Sequence, residues 1–258
     1  MSFVDAHLHL ADPGYAGKVE EVIENATQHN VAYLLSNATD YSTSLQTVNL
    51  ARQYPNRILA AVGVHPSTVT RTDDLHLEQF EKLIEEKSAW ITAIGEIGLD
   101  GKYSQDDRVK SRQDQVFRSF LALAERRGLP VVVHSRHAVP ETLETLADFH
   151  IPCALFHWYD GPTENLRLFE ERGFLISIGP ALLYSRRISE IARAADLSII
   201  LSETDGPVSY RALFGHQLTQ PSFVVEVVRR ISELKTMSLD VVRSTIFSNF
   251  QRFTHTQG

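Results

Sequence analysis

Histidine and carboxylate side chains alternate with apolar ones near the start of the chain. In SFVDAHLHL (residues 2–10), Asp5, His7 and His9 occupy every second position. A β-strand would place these three side chains on one face and the intervening apolar residues on the other. Two interpretations fit this pattern: the polar face of an amphipathic edge strand, or a pair of histidines that binds a metal ion. The rest of the chain is needed to decide between them.

Polar residues of the same types follow several later apolar segments. They are His65 in GVHP, Glu96 in IGEIGLD, His134 in VVVHSR, His157 in LFHWYDG, and Glu203 and Asp205 in LSETDGP. Taken singly, each has an ordinary explanation: a strand-end histidine is often a hydrogen-bonded core residue, and Asp100 and Asp205 stand in sequences typical of turns. Taken together, they would require independent accidents that put histidines and carboxylates at the same end of several strands. The clustering therefore favours one shared site.

These residue types indicate metal chemistry. Imidazole and carboxylate groups bind Zn²⁺, Mn²⁺ and similar divalent ions. The candidate ligands are His7, His9, Glu96, His134, His157 and Asp205. Six ligands are too many for one tetrahedral ion but suffice for two ions that share a carboxylate. Two ions about 3.5–4 Å apart can clamp the attacking and leaving oxygens of a displacement and activate water near neutral pH.

The elements that must position these residues follow a repeating order. Short apolar or β-branched segments predict strands at residues 3–6, 31–36, 58–64, 91–97, 130–134, 153–157, 174–178 and 198–201. Amphipathic segments between them predict helices, most clearly at residues 111–130. Strands alternating with helices indicate parallel βαβ units. About eight such units in 258 residues predict an α/β protein with a closed (β/α)₈ TIM barrel rather than an open doubly wound sheet.

We expect a single domain over residues 1–258, because the sequence contains no low-complexity linker and no internal repeat. The C-terminal segment at about residues 221–253 predicts two helices joined at residues 236–238. Its apolar content suits packing on the barrel wall better than a DNA-binding helix-turn-helix. In barrels of this kind the chemistry lies at the C-terminal ends of the strands, where the polar residues above are found.

Bulk composition limits the cell compartment and the partners. One cysteine, no long apolar run and no secretory signal predict a soluble cytoplasmic protein with no membrane contact. The net charge of −7 argues against strong non-specific binding to duplex DNA, but it allows binding of a nucleic-acid end through metal ions. Nothing in the sequence indicates an obligate protein partner.

The chain resembles the TatD-type metal-dependent deoxyribonucleases, a branch of the amidohydrolase-like (β/α)₈ hydrolases. The matching motifs span the chain: FVDAHLHL, GVHP, AIGEIGLD, FRSFLALAERRGLPVVVHSR, FHWYDG, GFLISIGPAL, LSETDGP and SNFQRF. Of these, DAHLH, GEIGLD and ETDGP are the most specific. No lysine occurs in WITAIGEIGLD, so the carboxylated lysine that bridges two metals in many related hydrolases has no counterpart here.

The resemblance implies a site with two divalent ions, whether Zn, Mn or Mg. His7, His9 and Asp205 would hold one ion. His134 and His157 would hold the other, and Glu96 would bridge the two. The remaining implied roles are His65 contacting the scissile phosphate or the attacking water, Asp205 accepting a proton, and Glu203 and Asp5 supporting the ligands.

Aromatic and basic residues near these motifs are candidates for contacts to the substrate. The motif WYDG follows His157 where related proteins often carry a Cys or a Phe-Ser pair, so Trp158 and Tyr159 could stack on a base or simply pack. Several arginines stand in loops expected at the same face and could hold phosphates or remain solvated: Arg136, Arg186, Arg187 and Arg211. Of all these residues, Arg136 and Trp158 are our candidates for substrate binding, together with His65.

The leading functional hypothesis is hydrolysis of DNA phosphodiester bonds, as a 3′-to-5′ exonuclease on single strands or ends. The alternative keeps the same two-metal site but hydrolyses an ester, an amide or a lactone, since a barrel fold alone does not select the bond. A third possibility is a degenerate barrel that only binds, whose signature would be missing ligands. All six candidate ligands are present.

Overall fold

The structure, a computed structural model, describes residues 1–103 and 106–255, without the side chains of residues 74 and 75. In this part of the chain the strands are β1 (Phe3–Leu8), β2 (Val31–Asn37), β3 (Ile58–Val62), β4 (Ile91–Gly98), β5 (Val131–His134), β6 (Ala154–Phe156), β7 (Leu175–Ile178) and β8 (Ile200–Ser202). The helices are α1 (Val19–Gln28), α2 (Tyr41–Gln53), α3 (Asp74–Glu86), α4 (Asp107–Arg127), α5 (Val139–Leu146), α6 (Leu166–Arg172), α7 (Arg186–Ala194), α8 (Arg211–Phe214), α9 (Phe223–Lys235) and α10 (Leu239–Thr254).

Each strand pairs in parallel with the next one along the chain, from β1 through to β8. The barrel is closed by contacts between the first and the last strand. The Ser202 hydroxyl donates to the Val4 carbonyl over 2.8 Å, and the Asp205 amide donates to the His7 carbonyl over 2.8 Å. The prediction of a (β/α)₈ TIM barrel is therefore confirmed.

All eight predicted strands are present, with differences at their ends. β1 continues to Leu8, so His7 lies inside the strand, and β3 ends at Val62 rather than at residue 64. Residues 197–199 form a 3₁₀ turn, and β8 begins only at Ile200. The edge-strand interpretation of β1 is wrong: Asp5 and His7 are fully buried, because the closed barrel leaves no solvent-facing side to the strand.

Helix α4 spans 21 residues and carries Gln113, whose side chain contacts the turn after β4. Asp106 caps its first turn by accepting the Arg108 amide over 2.7 Å. Gly128, at φ +62°, ends the helix in the left-handed conformation that glycine adopts without steric cost. The apolar face of α4, including Val116, Phe117 and Phe120, is buried against the sheet.

Helices α9 and α10 return to the junction of β1 and β8. The Asn249 side-chain amide on α10 donates to the Leu197 and Ile200 carbonyls over 2.8 and 2.9 Å. Phe250 and Phe253 on the same helix are fully buried. This packing supports the strand that leads to Asp205. No helix in residues 1–103 or 106–255 combines the length and hydropathy required to cross a bilayer.

Candidate metal centre

Six polar residues from five strands converge at one mouth of the barrel. They are His7 in β1, His9 just after it, Glu96 in β4, His134 at the end of β5, His157 just after β6 and Asp205 beyond β8. In parallel βα units the carboxyl ends of all strands share one rim, and that rim is where barrel enzymes place their chemistry. Five of them are buried, and His9 is partly buried.

The first cluster joins β1, β4 and the segment after β8. His7 Nε2 lies 3.3 Å from His9 Nε2, and both lie close to Asp205 Oδ1, at 3.4 and 3.2 Å. Glu96 Oε2 is 3.4 Å from His7 Nε2 and 3.5 Å from His9 Nε2. Four atoms that can ligate a metal ion, two imidazole nitrogens and two carboxylate oxygens, therefore face one another across a space of a few ångströms.

The second cluster gathers around the other oxygen of Glu96. Glu96 Oε1 lies 2.7 Å from His157 Nε2 and 2.8 Å from His134 Nδ1, and these two nitrogens are 3.0 Å apart. His65 Nε2 stands 3.4 Å from the same oxygen. Glu96 thus presents one oxygen to each cluster.

The hydrogen bonds behind two of the histidines set which nitrogen of a neutral ring turns its lone pair to the cluster. His9 Nδ1 donates to the Asn37 carbonyl over 2.9 Å, and His134 Nε2 donates to Asp100 Oδ2 over 2.7 Å. A neutral imidazole carries one proton, so an acceptor behind the ring leaves the lone pair on the nitrogen that faces the cluster. Both rings are therefore arranged as ligands.

His65 has the opposite arrangement. The Ser67 amide donates to His65 Nδ1 over 3.0 Å, which assigns the ring proton to Nε2. Burial lowers the pKa of His65 to about 4, so the ring is neutral at pH 7. His65 therefore presents an N–H donor toward the second cluster, suited to an oxygen of a bound substrate.

The carboxylates and imidazoles of the two clusters stabilise one another's charged forms. Burial opposes the charged form of His7, yet Glu96 and Asp205 raise its pKa well above the usual range. Burial likewise opposes the charged form of Glu96, but the surrounding imidazoles, His157 foremost, hold its pKa well below the usual range. Against the same penalty, bonds from His7 and His9 hold the pKa of Asp205 low. Both carboxylates are therefore ionised at neutral pH.

The donor set fits divalent cations. A tetrahedral ion with bonds of about 2.0–2.2 Å separates its ligand atoms by about 3.3–3.6 Å. The contacts of the first cluster span 3.2–3.5 Å. Three sets of histidines and carboxylates have ligand atoms within 4.8 Å of one another, and two of them contain Glu96. Imidazole nitrogens that face each other with carboxylate oxygens between them suit cations better than protons alone.

Asp5 and Glu203 stand behind the clusters. Asp5 accepts the Thr204 amide over 2.9 Å and the Thr204 hydroxyl over 2.6 Å, and burial raises its pKa to about 7. Glu203 accepts the Ser177 hydroxyl over 2.5 Å and the Trp158 amide over 2.9 Å. Burial raises the pKa of Glu203 to about 8. These bonds connect β1, β7 and the segment after β6 to the segment that carries Asp205.

A cavity of about 510 Å³ opens above the second cluster. Its walls include His134, Arg136, His137, His157, Trp158 and Asp205. The Trp158 ring is half-buried and stacks on Tyr210, with ring centroids 6.0 Å apart and planes at 27°. This brings Arg136 and Trp158, two of the three candidate substrate-binding residues, to one cavity.

The other candidate substrate contacts are not among the residues that line this cavity. Tyr159 is buried and donates to the Pro162 carbonyl over 2.6 Å, so it is a core residue rather than a stacking surface. Arg186 pairs with Glu190 at 3.1 Å, and Arg187 donates to the Asp160 carbonyl over 2.6 Å. Arg211 is exposed at the start of α8.

The contact between Asp100 and His134 was not predicted from the sequence. We expected a turn residue, and Asp100 Oδ1 does accept the Lys102 and Tyr103 amides over 2.7 and 3.1 Å. Its Oδ2 also accepts a hydrogen bond from His134 Nε2. The available signal was its position four residues after Glu96 in the motif IGEIGLD, two residues beyond the end of β4. For Asn37, Ser177 and Thr204 no such signal exists.

Comparison with known proteins identifies the family of this chain. The profile of the family described as TatD related DNase matches residues 4–255. A protein of Methanocaldococcus jannaschii named as an uncharacterized metal-dependent hydrolase is 32% identical over 253 residues, covering 98% of this chain and 97% of the relative. A human protein named deoxyribonuclease TATDN3 is 29% identical over 215 residues, covering 80% of this chain and 78% of the relative. The crystal structure of YjjV, a TatD homologue of Escherichia coli, superposes with a TM-score of 0.90 at 27% identity and covers 99% and 98% of the two chains. The chain belongs to the TatD-related DNase family of metal-dependent hydrolases.

Proposed function

We propose that this protein is a two-metal phosphodiesterase that hydrolyses DNA from a 3′ end. The observation that carries the proposal is Glu96, whose two oxygens face two separate clusters of histidines at the barrel mouth. The description of the matching family and the name of the human relative support DNA as the substrate.

The donor set divides the ligands between two ions. His7, His9 and Asp205 would hold one, and His134 and His157 would hold the other, with Glu96 shared. Zinc, manganese or magnesium would be the ion, with the imidazoles favouring the first two. When bound, such a pair supplies Lewis-acid polarisation of a phosphoryl oxygen and a lowered pKa for water.

Two side chains would act on the reacting groups, and a third would hold the centre together. Asp205 is ionised and reaches the cavity, so it can accept a proton from the attacking water. His65 is neutral with its proton on Nε2, so it can donate to a non-bridging oxygen of the phosphate. Glu96 stays charged while fully enclosed, which keeps both clusters together through the reaction.

The cavity supplies the contacts to the nucleotide. Arg136 would pair with a phosphate, and Trp158 would stack on a base with Tyr210 behind it. A volume of about 510 Å³ suits a small ligand such as one nucleotide, which favours action at an end over action along a duplex. The net charge of −7 also disfavours capture of long duplex DNA.

The test uses one oligonucleotide, labelled at either end, as a single strand and as a blunt duplex. We expect mononucleotides released from the 3′ end of the single strand, with slower release from the duplex. Exhaustive chelation and Glu96→Ala should each lower the rate at least 100-fold, and Mn²⁺ or Zn²⁺ should restore the chelated protein alone. Glu190→Ala, at an exposed carboxylate paired with Arg186, is the matched control.

Activity that persists after chelation and in Glu96→Ala would overturn the proposal. A panel of ester, amide and lactone substrates runs beside the oligonucleotide. Turnover of an acyl substrate, with a DNA rate no higher than the buffer control, would show that the same centre serves acyl hydrolysis.

A further inference from the structure

We propose that Asp100 is a positioning residue for the second cluster, and that Gln113 on α4 holds it in place. Asp100 keeps the His134 ring proton on Nε2 and so leaves Nδ1 free for an ion. The inference deepens the proposed function and rests on it, because it concerns how the second ion is held.

The Asp100 carboxylate is held from both sides. It is fully buried, and each oxygen has its own partners. Oδ2 receives His134 Nε2 at 2.7 Å, while Oδ1 receives the Lys102 and Tyr103 amides. A rotation of the carboxylate would break bonds on both oxygens at once. Its position relative to His134 is therefore fixed by the turn that follows β4.

The acceptor decides where the His134 proton lies. With a carboxylate behind Nε2, the neutral ring keeps its proton there and directs its lone pair at the cluster. Without that acceptor the proton can move to Nδ1, which lies 2.8 Å from Glu96 Oε1 and would bond to it. That bond would occupy both the His134 lone pair and an oxygen of the bridging carboxylate.

Gln113 fixes Asp100 from the helix layer. Its side-chain carbonyl accepts the Asp100 amide over 3.0 Å, and its amide group donates to the Pro66 carbonyl over 3.3 Å. Only 2% of Gln113 is exposed, so these bonds face no competition from bulk water. One side chain thus joins the turn that carries Asp100 to the loop that carries His65.

The two clusters use different acceptors, which makes the inference specific. Behind His9, in the first cluster, the acceptor is the backbone carbonyl of Asn37, which no side-chain substitution removes. Behind His134 it is the Asp100 carboxylate. Loss of that carboxylate should weaken one ion equivalent and leave the other unchanged.

Asp100→Asn separates the two roles of Asp100. The Asn carbonyl oxygen can still accept the Lys102 and Tyr103 amides, so the turn is kept. The Asn amide group, however, replaces the oxygen that faces His134 and cannot accept its proton. The matched control is Asp106→Asn, because the Asp106 side chain accepts the Arg108 backbone amide at the start of α4, a bond that an Asn side chain can also make.

The readout is a titration of the chelated full-length protein with Mn²⁺ or Zn²⁺ by calorimetry, beside its thermal unfolding without ions. We expect Asp100→Asn to bind one equivalent as the wild type does and the other 10–100-fold more weakly. Its activity should recover at high ion concentration. The melting temperature without ions should stay near the wild-type value. Asp106→Asn should bind both ions normally.

Two wild-type affinities in Asp100→Asn would overturn the inference, and so would equal weakening of both ions. If that variant does not fold, Gln113→Ala decides: it should weaken the same single equivalent, whereas Gln115→Ala, exposed on the same helix, should not. A wild-type protein that binds no ions would instead contradict the proposed function itself.

Discussion

The mouth histidines are the same residue type, but their neighbours give them different chemistry. A carbonyl behind His9 and a carboxylate behind His134 turn lone pairs toward the clusters, whereas an amide behind His65 turns an N–H toward them. The role of an imidazole is therefore set by the bond on its far nitrogen. In the proposed function, this difference distinguishes the two histidines that would hold ions from the one that would donate to substrate.

Single residues mark the limit of what the sequence could predict. The alternation of Asp5, His7 and His9 was enough to predict three polar side chains on one side of the first strand. Asp100 was interpreted as a turn residue because it precedes Gly101 in a sequence typical of turns. The structure adds a second role, because the turn and the bond to His134 use different oxygens of one carboxylate. The bond between Thr204 and Asp5 joins residues 199 positions apart, a pairing that no local pattern encodes.

Asp5→Asn tests the cost of burying a carboxylate in this centre. Burial raises the pKa of Asp5 from 3.8 to about 7, so the folded protein binds this proton more tightly than the unfolded chain does. The stability that the proton confers is present below about pH 4 and is lost as the pH rises to 7. In the chelated protein, Asp5→Asn should therefore gain about 2–3 kcal/mol relative to the wild type between pH 5 and pH 8.

Urea unfolding at the two pH values gives this difference directly. Asp12→Asn, at a carboxylate in the loop after β1 that accepts the Gly14 amide, serves as the control and should show no such gain. A difference between Asp5→Asn and the wild type that does not change with pH would contradict the prediction.

At the scale of elements, the alternation of apolar and amphipathic segments was enough to predict all eight strands. Their ends were harder to place, because an apolar β-branched run fits a strand and a tight turn equally well. Residues 197–199 form a 3₁₀ turn in which Asp196 accepts the Ser198 amide over 2.8 Å. Whether such a segment pairs depends on its neighbour β7, which the local sequence does not contain.

Strand β4 also has an irregular register against β5 between Ile94 and Ile97. Beyond this point Gly98 adopts φ +137°, and a Cβ there would lie 2.1 Å from the His134 carbonyl oxygen. The close approach brings the strand of Glu96 against the strand of His134, so the glycine is part of how the second cluster is assembled.

Gly98→Ala should therefore destabilise the fold by about 2–4 kcal/mol, combining backbone strain with a steric clash. Gly128→Ala is the matched control, since its φ is also positive but no atom lies within 4 Å of the added Cβ. That control should cost only about 1 kcal/mol. Equal losses for the two variants in urea unfolding would show that strain alone acts at Gly98.

At the scale of the whole molecule, the barrel and its centre depend on each other. Seven parallel strand pairings and a set of contacts between β1 and β8 close the sheet, and the polar groups at its rim come from strands across the full length of the chain. The enclosed carboxylates and imidazoles have few conformations open to them in the folded protein, whereas the unfolded chain scatters them. Cations that bind the centre must therefore bind the folded state selectively.

Removal of bound ions should accordingly lower the melting temperature of the whole protein. A ligand present at about 100 times its dissociation constant stabilises the folded state by about 2.7 kcal/mol. For a chain of 258 residues this corresponds to a shift of about 5–10 °C. Scanning calorimetry of the metal-loaded and chelated protein measures the shift. It should shrink to under about 2 °C in Glu96→Ala, because loss of the shared carboxylate weakens both clusters, and persist in Glu190→Ala. An unchanged melting temperature on chelation of a demonstrably loaded protein would mean that the ions contribute nothing to holding the mouth together.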